Sequence, residues 1–404
     1  MKIEFKDNEG QVTLALNGKL DTATAMKATT DINSALAKVA IVKSLTIDAN
    51  RLDYISSSGL RILLTLVKKY PNLRLTNVQK EVYEVLDMTG FNRIIKTEKI
   101  LRHISVEGCE VIGRGGVGTV YRLDDDTIIK VFRQGTTMDE VKQEIGMAKE
   151  AFVLGMPTAI SFDVVMVPSP TGQGDEAYGL VYELLRADTL SAVVKRDPER
   201  LDYYARKYAD LLRSLHSIDV PQDGIIPNAI EHERQSVMSL TRYFTQDEVD
   251  VMLQIIDAIP PANRLLHLDL QTKNAMMQGD ELMLIDMGEV GYGHPLLDLG
   301  HAYSAMVKLV GNYEQIIGMP RELGTEMWNR AINYYFKGLS DEETAHRKKQ
   351  IETVSCVRNF SWLSLSDSFP QEVIDQCKAL MAERITNRKE ELLAISRTFC
   401  DWTL

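Results

Sequence analysis

The chain has 404 residues, 45% apolar and 25% charged, which gives room for two or three cored domains and excludes a disordered or fibrous protein. No run of eighteen apolar residues occurs, and Met1-Lys2-Ile3-Glu4-Phe5-Lys6 alternates like a strand instead of forming a signal segment, so a cytoplasmic protein without a membrane or nucleic-acid partner is expected. Cys109, Cys356, Cys377 and Cys400 are dispersed with no C-x2-C spacing, and the net charge of −11 is uneven: residues 1–100 carry 15 Lys+Arg against 11 Asp+Glu, or +4, leaving −15 for the rest.

The first hundred residues alternate strand and helix signals. Val12-Thr13-Leu14-Ala15-Leu16 reads as a strand with a hairpin or turn signal at Asn17-Gly18. A helix from Thr22 to about Lys38, a buried strand Ser44–Ala49, an amphipathic helix Leu60–Lys69, a strand Leu73–Asn77 and a helix through Val82–Leu86 follow. Ser56-Ser57-Ser58-Gly59 precedes the second helix, where a serine oxygen can cap the free N–H groups of the first turn.

With Gly18-Lys19-Leu20-Asp21-Thr22, Leu52-Asp53-Tyr54-Ile55 and Glu84 to Phe91, that serine run resembles the STAS domain of anti-sigma factor antagonists over nearly all of residues 1–98. The resemblance implies a serine phosphorylation switch at Ser57, the first serine of the family's Asp-Ser-Ser-Gly, although Ser56 stands here in place of that Asp. A phosphate there would meet the positive end of the helix dipole and oppose docking on an acidic surface, whether a partner protein's or that of the rest of this chain.

From about Leu101 the pattern changes. Gly113-Arg114-Gly115-Gly116-Val117-Gly118 lies between strand-like Val111-Ile112 and Val120–Leu123, and Lys130 sits in a strand ten residues after Val120. Absent side chains at Gly113, Gly115, Gly116 and Gly118 would let backbone N–H groups approach nucleotide phosphates. Lys130 needs a carboxylate to hold it; Glu144, in the helical Val141–Ala148, is the candidate, ahead of Glu140 and Glu150. An apolar strand Tyr178–Leu184 would pass Glu183 at a nucleotide-binding hinge, and His216, ending a long helix, reads as structural.

His267-Leu268-Asp269 with Asn274 five residues on, then Asp286-Met287-Gly288 twelve residues later after an apolar run, supplies what ATP-dependent phosphoryl transfer requires: a carboxylate beside an acceptor hydroxyl, Asp269, and two oxygen ligands for Mg2+, Asn274 and Asp286. Glycine loop, strand lysine, H-x-D-x4-N and Asp-x-Gly form the linear order of a protein-kinase-like catalytic domain. With Gly293-His294-Pro295-Leu296-Leu297-Asp298-Leu299-Gly300 the stretch from about 108 to 310 resembles the aminoglycoside phosphotransferase and choline kinase family, with Leu268 replacing the usual Gly and Gln271 the common His. The resemblance implies ATP and Mg2+ as cofactors, Lys130 on the phosphates and Asp269 facing the acceptor. Only eleven residues separate Asp286 from Asp298, whereas a peptide-binding activation segment takes on the order of 20 or more.

The expected architecture is an α/β STAS domain over 1–100, followed by an α+β two-lobed kinase-like domain over 105–404, with an N-lobe to about 185 and a helical C-terminal extension. Trp328, Tyr334, Tyr335, Phe336, Phe360 and Trp362 in that extension would wall an acceptor pocket or simply fill core. The expected activity is transfer of the γ-phosphoryl group of ATP to a small hydroxylated molecule, with the STAS domain regulatory. The alternatives are a kinase acting on a STAS serine, Ser57 or a partner's, and a nucleotide-binding pseudokinase scaffold.

Overall fold

The computed structural model describes residues 1–115, 117–168, 176–222, 224–365 and 369–402, and it divides into two compact units, Met1–Ile104 and Ser105–Leu404. Among the described residues no helix is long and apolar enough to cross a membrane.

The first unit is a five-stranded sheet in the order β1 (Lys2–Asn8), β2 (Gln11–Leu20), β3 (Ser44–Ile55), β4 (Arg74–Val78), β5 (Lys96–Lys99), with helices α1 (Thr22–Leu36), α2 (Ser57–Lys69) and α3 (Lys80–Met88) between strands. Only β1 and β2 are antiparallel; the rest are parallel neighbours. Alternation in β2 buries Val12, Leu14 and Leu16, and Leu45, Ile47 and Ala49 of β3 join them. The hairpin turn expected at Asn17-Gly18 is not there. The chain turns at Glu9-Gly10, where Asp7 accepts from Gly10 N–H at 2.8 Å and both turn residues have positive φ. β2 continues through Gly18, whose φ of +98° is absorbed as a register shift against β3, because fully buried Leu20 must still reach the core.

The second unit begins with antiparallel strands β6 (Glu110–Arg114), β7 (Gly118–Arg122), β8 (Thr127–Phe132), β9 (Asp163–Val167) and β10 (Ala177–Glu183), running β9-β10-β8-β7-β6 across the sheet. Helix α4 (Met138–Val153), started by a Thr137–Glu140 capping box, lays Val141 against Phe132 and Leu180. That box uses the carboxylate of Glu140, and Glu150 accepts from the N–H of Ile225 at 2.9 Å, which leaves Glu144 as the acid of α4 turned to the sheet.

The larger lobe is helical: α5 (Leu190–Arg196), α6 (Leu201–Leu215), α7 (Ala229–Met238), α8 (Gln246–Asp257), α9 (Pro295–Tyr303), α10 (Tyr313–Ile317), α11 (Arg321–Tyr335), α12 (Asp341–Ser361), α13 (Gln371–Arg384) and α14 (Lys389–Ser396). Short antiparallel ladders cross it, among them β11 (Arg264–Leu266) with β14 (Gly291–Gly293) and β12 (Ala275–Gln278) with β13 (Glu281–Leu284). Of the aromatics considered as a pocket wall, Trp328, Phe336 and Phe360 are buried core, Tyr335 bonds His216, and Tyr334 donates to Asp202 of α6. Trp362, partly buried, donates to the Asn359 carbonyl at 2.8 Å, and these contacts hold helices together.

An ideal Cβ on Gly59 would lie 2.7 Å from both the Leu20 carbonyl oxygen and Ile55 Cγ1. Gly59→Ala should therefore destabilise the first unit by about 1–3 kcal/mol, read as faster amide hydrogen exchange across β2 and β3.

Candidate active site

The glycine turn is set by strand packing before any ligand is considered. β6 and β7 pair antiparallel, with Gly113 opposite Val120 and Arg114 opposite Thr119, and Gly115 N–H closes the turn on Gly118 C=O at 2.9 Å. A Cβ on Gly118 would sit 2.2 Å from the Val131 carbonyl oxygen, so glycine is required there by β8. At Gly113 and Gly115 nothing comes nearer than 3.6 Å, so those two leave space above the cleft. Gly116 lies outside the described residues.

Lys130, mid-strand in β8 and 13% exposed, places Nζ 2.8 Å from Glu144 Oε1 and 3.0 Å from Asp286 Oδ1. Burial alone would push its ammonium toward neutrality; the Asp286 and Glu144 carboxylates outweigh that and raise its pKa. Tyr182, on β10, is likewise pushed up by burial and by the same two carboxylates. A Cβ on Gly288 would meet Glu144 Oε2 at 3.8 Å and Asp286 Oδ1 at 3.9 Å, so the Asp-x-Gly turn is seated directly against α4. Glu183 ends β10 exposed, and the next residue, Leu184, donates its N–H to Asp126 C=O at 2.7 Å.

The β12–β13 hairpin aligns the two expected metal ligands. Ala275 pairs with Leu284, and Ile285 N–H donates to Asn274 C=O at 2.9 Å, so Asn274 and Asp286 stand at the same end of the ladder. Asn274 spends its amide N–H groups on Asp269, donating to Oδ2 at 2.6 Å and to the backbone carbonyl at 2.9 Å. Its side-chain oxygen is thereby turned away from Asp269. Gln271, where the family has His, donates to both Asp269 oxygens at 3.3 and 3.2 Å. The structure thus brings together Lys130, Glu144 and Asp286 in one cluster and Asp269 with Asn274 in another, joined by the hairpin end.

What holds the His267–Asp269 loop was legible only as part of a motif. Asp298, fully buried in α9, accepts from Leu268 N–H at 2.8 Å, from His267 N–H at 3.0 Å, and bonds His216 Nε2 at 3.1 Å. Burial would raise its pKa, yet the His216 bond and the His267 amide keep it below the usual carboxylate range. His267 bonds the Ile285 carbonyl through Nε2 at 3.1 Å and accepts from Asp269 N–H through Nδ1 at 3.3 Å, which makes it the Nε2–H tautomer. His301 meets the Leu268 carbonyl through Nδ1 at 3.1 Å. The i, i+3 spacing of Asp298 and His301 on one helix face was the available signal for this pair. α9 is seated by Gly300, where a Cβ would lie 2.6 Å from Val354 Cγ1 of α12.

Two non-glycine residues of the site have left-handed backbones, Leu268 with φ 64° and Asp286 with φ 65°, each strained by on the order of 1–3 kcal/mol. Five residues after Asp286 the chain enters β14, and α9 starts at Pro295; no peptide platform intervenes.

A profile described as the phosphotransferase enzyme family matches residues 108–318, more than half of the chain. The chain belongs to this family. The STAS domain profile matches residues 2–104, so the first unit is a STAS domain. That unit is similar to BtrV of Bordetella bronchiseptica, named as an anti-sigma factor antagonist, at 28% identity over 95 residues, 22% of this chain and 80% of the relative. Among solved structures, a choline/ethanolamine kinase family protein from Mesorhizobium loti is 16% identical, covering 72% of this chain and 92% of its own with a TM-score of 0.46. An aminoglycoside phosphotransferase in ternary complex with streptomycin and ATP is 13% identical, covering 75% and 97%, with a TM-score of 0.45. The phosphotransferase family and a kinase-like fold are established by the profile match and the two-lobed architecture together.

Asp298→Asn should lower the unfolding temperature of the second unit at neutral pH, because breaking a buried ionic network costs about 3–5 kcal/mol. The folded pKa of Asp298 is depressed, so its contribution is present above its ordinary value of 3.8 and is lost as pH falls further. Melting curves between pH 6 and about 3 should show a shallower acid slope for the variant than for the wild type.

Proposed function

We propose that the protein transfers the γ-phosphoryl group of ATP, with Mg2+, to a hydroxyl of a small molecule, and that its STAS domain regulates this activity. The observation that carries the reading is the Lys130 bridge, 2.8 Å to Glu144 and 3.0 Å to Asp286, which supports a cleft already assembled for a nucleotide. On this reading Lys130 exchanges a carboxylate contact for phosphate oxygens, Gly113, Gly115 and Gly118 keep the loop over the phosphates, and Glu183 marks the hinge beside the base.

Among the described residues no group of three or more His, Cys, Asp or Glu could hold a metal; on this reading the Asp286 carboxylate and the Asn274 side-chain oxygen, at the same end of the hairpin, would be the two protein ligands. That set suits a magnesium ion delivered with a nucleotide and completed by phosphate and water oxygens, as Mg2+ prefers, and its role would be to neutralise phosphate charge. The carboxylate of Asp269, with Oδ2 fixed by Asn274 at 2.6 Å, orients the acceptor hydroxyl and takes its proton as the new P–O bond forms. The direct passage from Asp286 through β14 into α9 leaves no room for a peptide platform and favours a small acceptor.

A second reading, a kinase for a STAS serine, draws on one observation. Ser57 is exposed at the first position of α2, while Ser56 accepts from Ser58 N–H at 3.3 Å as the cap and Ser58 bonds Thr22. Incubation with labelled ATP and magnesium separates the two: label on added small molecules supports the first, label on Ser57 or on a partner's STAS serine the second, and label nowhere rejects both in favour of a scaffold.

Two variants divide the roles. Mg·ATP should raise the melting temperature of the wild type, and Asp286→Ala should abolish that shift. Asp269→Asn should keep the shift and lower phosphoryl transfer by about 100-fold or more, the usual contribution of a positioned acid/base group. No shift in the wild type at millimolar nucleotide would reject nucleotide binding, and wild-type turnover in Asp269→Asn would reject the assigned carboxylate.

A further inference from the structure

Leu268 has a φ of 64°, a conformation that costs glycine nothing and a leucine considerably. Its side chain is 5% exposed and packs where a Cβ on Gly291 would come 3.3 Å from Leu268 Cδ1, so the residue is fixed from its side-chain end. Both its backbone polar groups are held by α9. Asp298 Oδ1 accepts from its N–H at 2.8 Å, and His301 Nδ1 lies 3.1 Å from its carbonyl oxygen. A carbonyl only accepts, so the proton of that bond sits on Nδ1 of His301. The other ring nitrogen faces Glu233 Oε2 of α7 at 3.6 Å. Both side chains are sealed from solvent, 4% and 3% exposed, and the charge of Arg358 on α12 also favours the Glu233 carboxylate. Nothing in the proposed chemistry uses Glu233 or His301, yet a buried carboxylate and imidazole are costly to retain.

The residue after Leu268 is Asp269. If the Leu268 peptide relaxed to negative φ, the Asp269 carboxylate would turn out of its 2.6 Å bond with Asn274. We propose that His301, backed by Glu233, is a positioning residue for Asp269: it clamps a leucine in a backbone conformation that glycine would adopt unaided. The proposal deepens the phosphotransferase reading and rests on it for its consequence on turnover. The clamp itself is a matter of folding energetics.

The test is a double-mutant cycle in the full chain of His301→Leu and Leu268→Gly, read by phosphate release from Mg·ATP with water as acceptor and by urea midpoint. His301→Leu should lower kcat by about 10- to 100-fold, the scale of a misplaced catalytic group, with KM for ATP within about twofold. Adding Leu268→Gly should recover about tenfold, because glycine needs no clamp. His301→Asn, which keeps a donor for the carbonyl, should lose less than His301→Leu. Wild-type kcat in His301→Leu overturns the proposal. So does a double variant whose losses in kcat and urea midpoint equal the two single losses combined. If His301→Leu does not fold, Glu233→Gln takes its place in the same cycle. If the wild type releases no phosphate to water, the urea midpoints alone decide the clamp, with additivity rejecting it, and the phosphotransferase reading is decided separately by the labelled-ATP incubation.

Discussion

The site depends on one buried carboxylate. Asp298 has no solvent exposure and accepts from the consecutive backbone N–H groups of His267 and Leu268 while bonding His216. A carboxylate so placed is tolerated only where its desolvation is offset by several well-aligned donors, so loop, helix and His216 are fixed together or not at all. α9 is fixed in turn by packing: His294 caps its first turn by accepting from Leu296 N–H at 3.1 Å, Pro295 opens it, and Gly300 allows α12 to approach. The hydrophobic core of the larger lobe thus determines where Asp269 points.

A second constraint works differently. Lys130 joins a strand, a helix and a hairpin end through one ammonium group, and its partners differ in exposure: Glu144 is 10% exposed at the side chain and Asp286 43%. The Glu144 contact is therefore structural in character, whereas the Asp286 contact faces an open cleft in which phosphate oxygens can compete for the lysine. The small lobe and Asp286 are coupled by charge, and the His267–Asp269 loop is held by buried hydrogen bonds. The two clusters thus have separate supports.

In the STAS domain the same economy appears at the start of α2. Three adjacent hydroxyls have three different situations: Ser56 caps the helix and reaches the Leu20 carbonyl at 3.4 Å, Ser58 bonds Thr22, and Ser57 stands exposed. Replacing the family's Asp by Ser56 keeps an oxygen acceptor at the cap, so the helix start survives that departure. Gly59 is then forced, since the turn runs against the backbone of Leu20.

By itself, the sequence determined the elements and the order of the chemistry. Alternation in Val12–Leu16, the serine cap before Leu60–Lys69, and the spacing of Lys130, Asp269, Asn274 and Asp286 are local facts, and local propensity and pattern sufficed to read them. Glu144 could be chosen over Glu140 and Glu150 only provisionally, and the structure shows the reason: one rival is used in a helix cap and the other on a loop amide. The tertiary structure alone decided where β2 turns, that Trp328, Phe336 and Phe360 are core, and that Gly118 is demanded by the Val131 carbonyl. It alone showed that Leu268 is left-handed and clamped by Asp298 and His301, residues thirty and thirty-three positions away. Contacts of that separation depend on how α9 packs on α12, and packing is a property of the assembled core that no local pattern encodes.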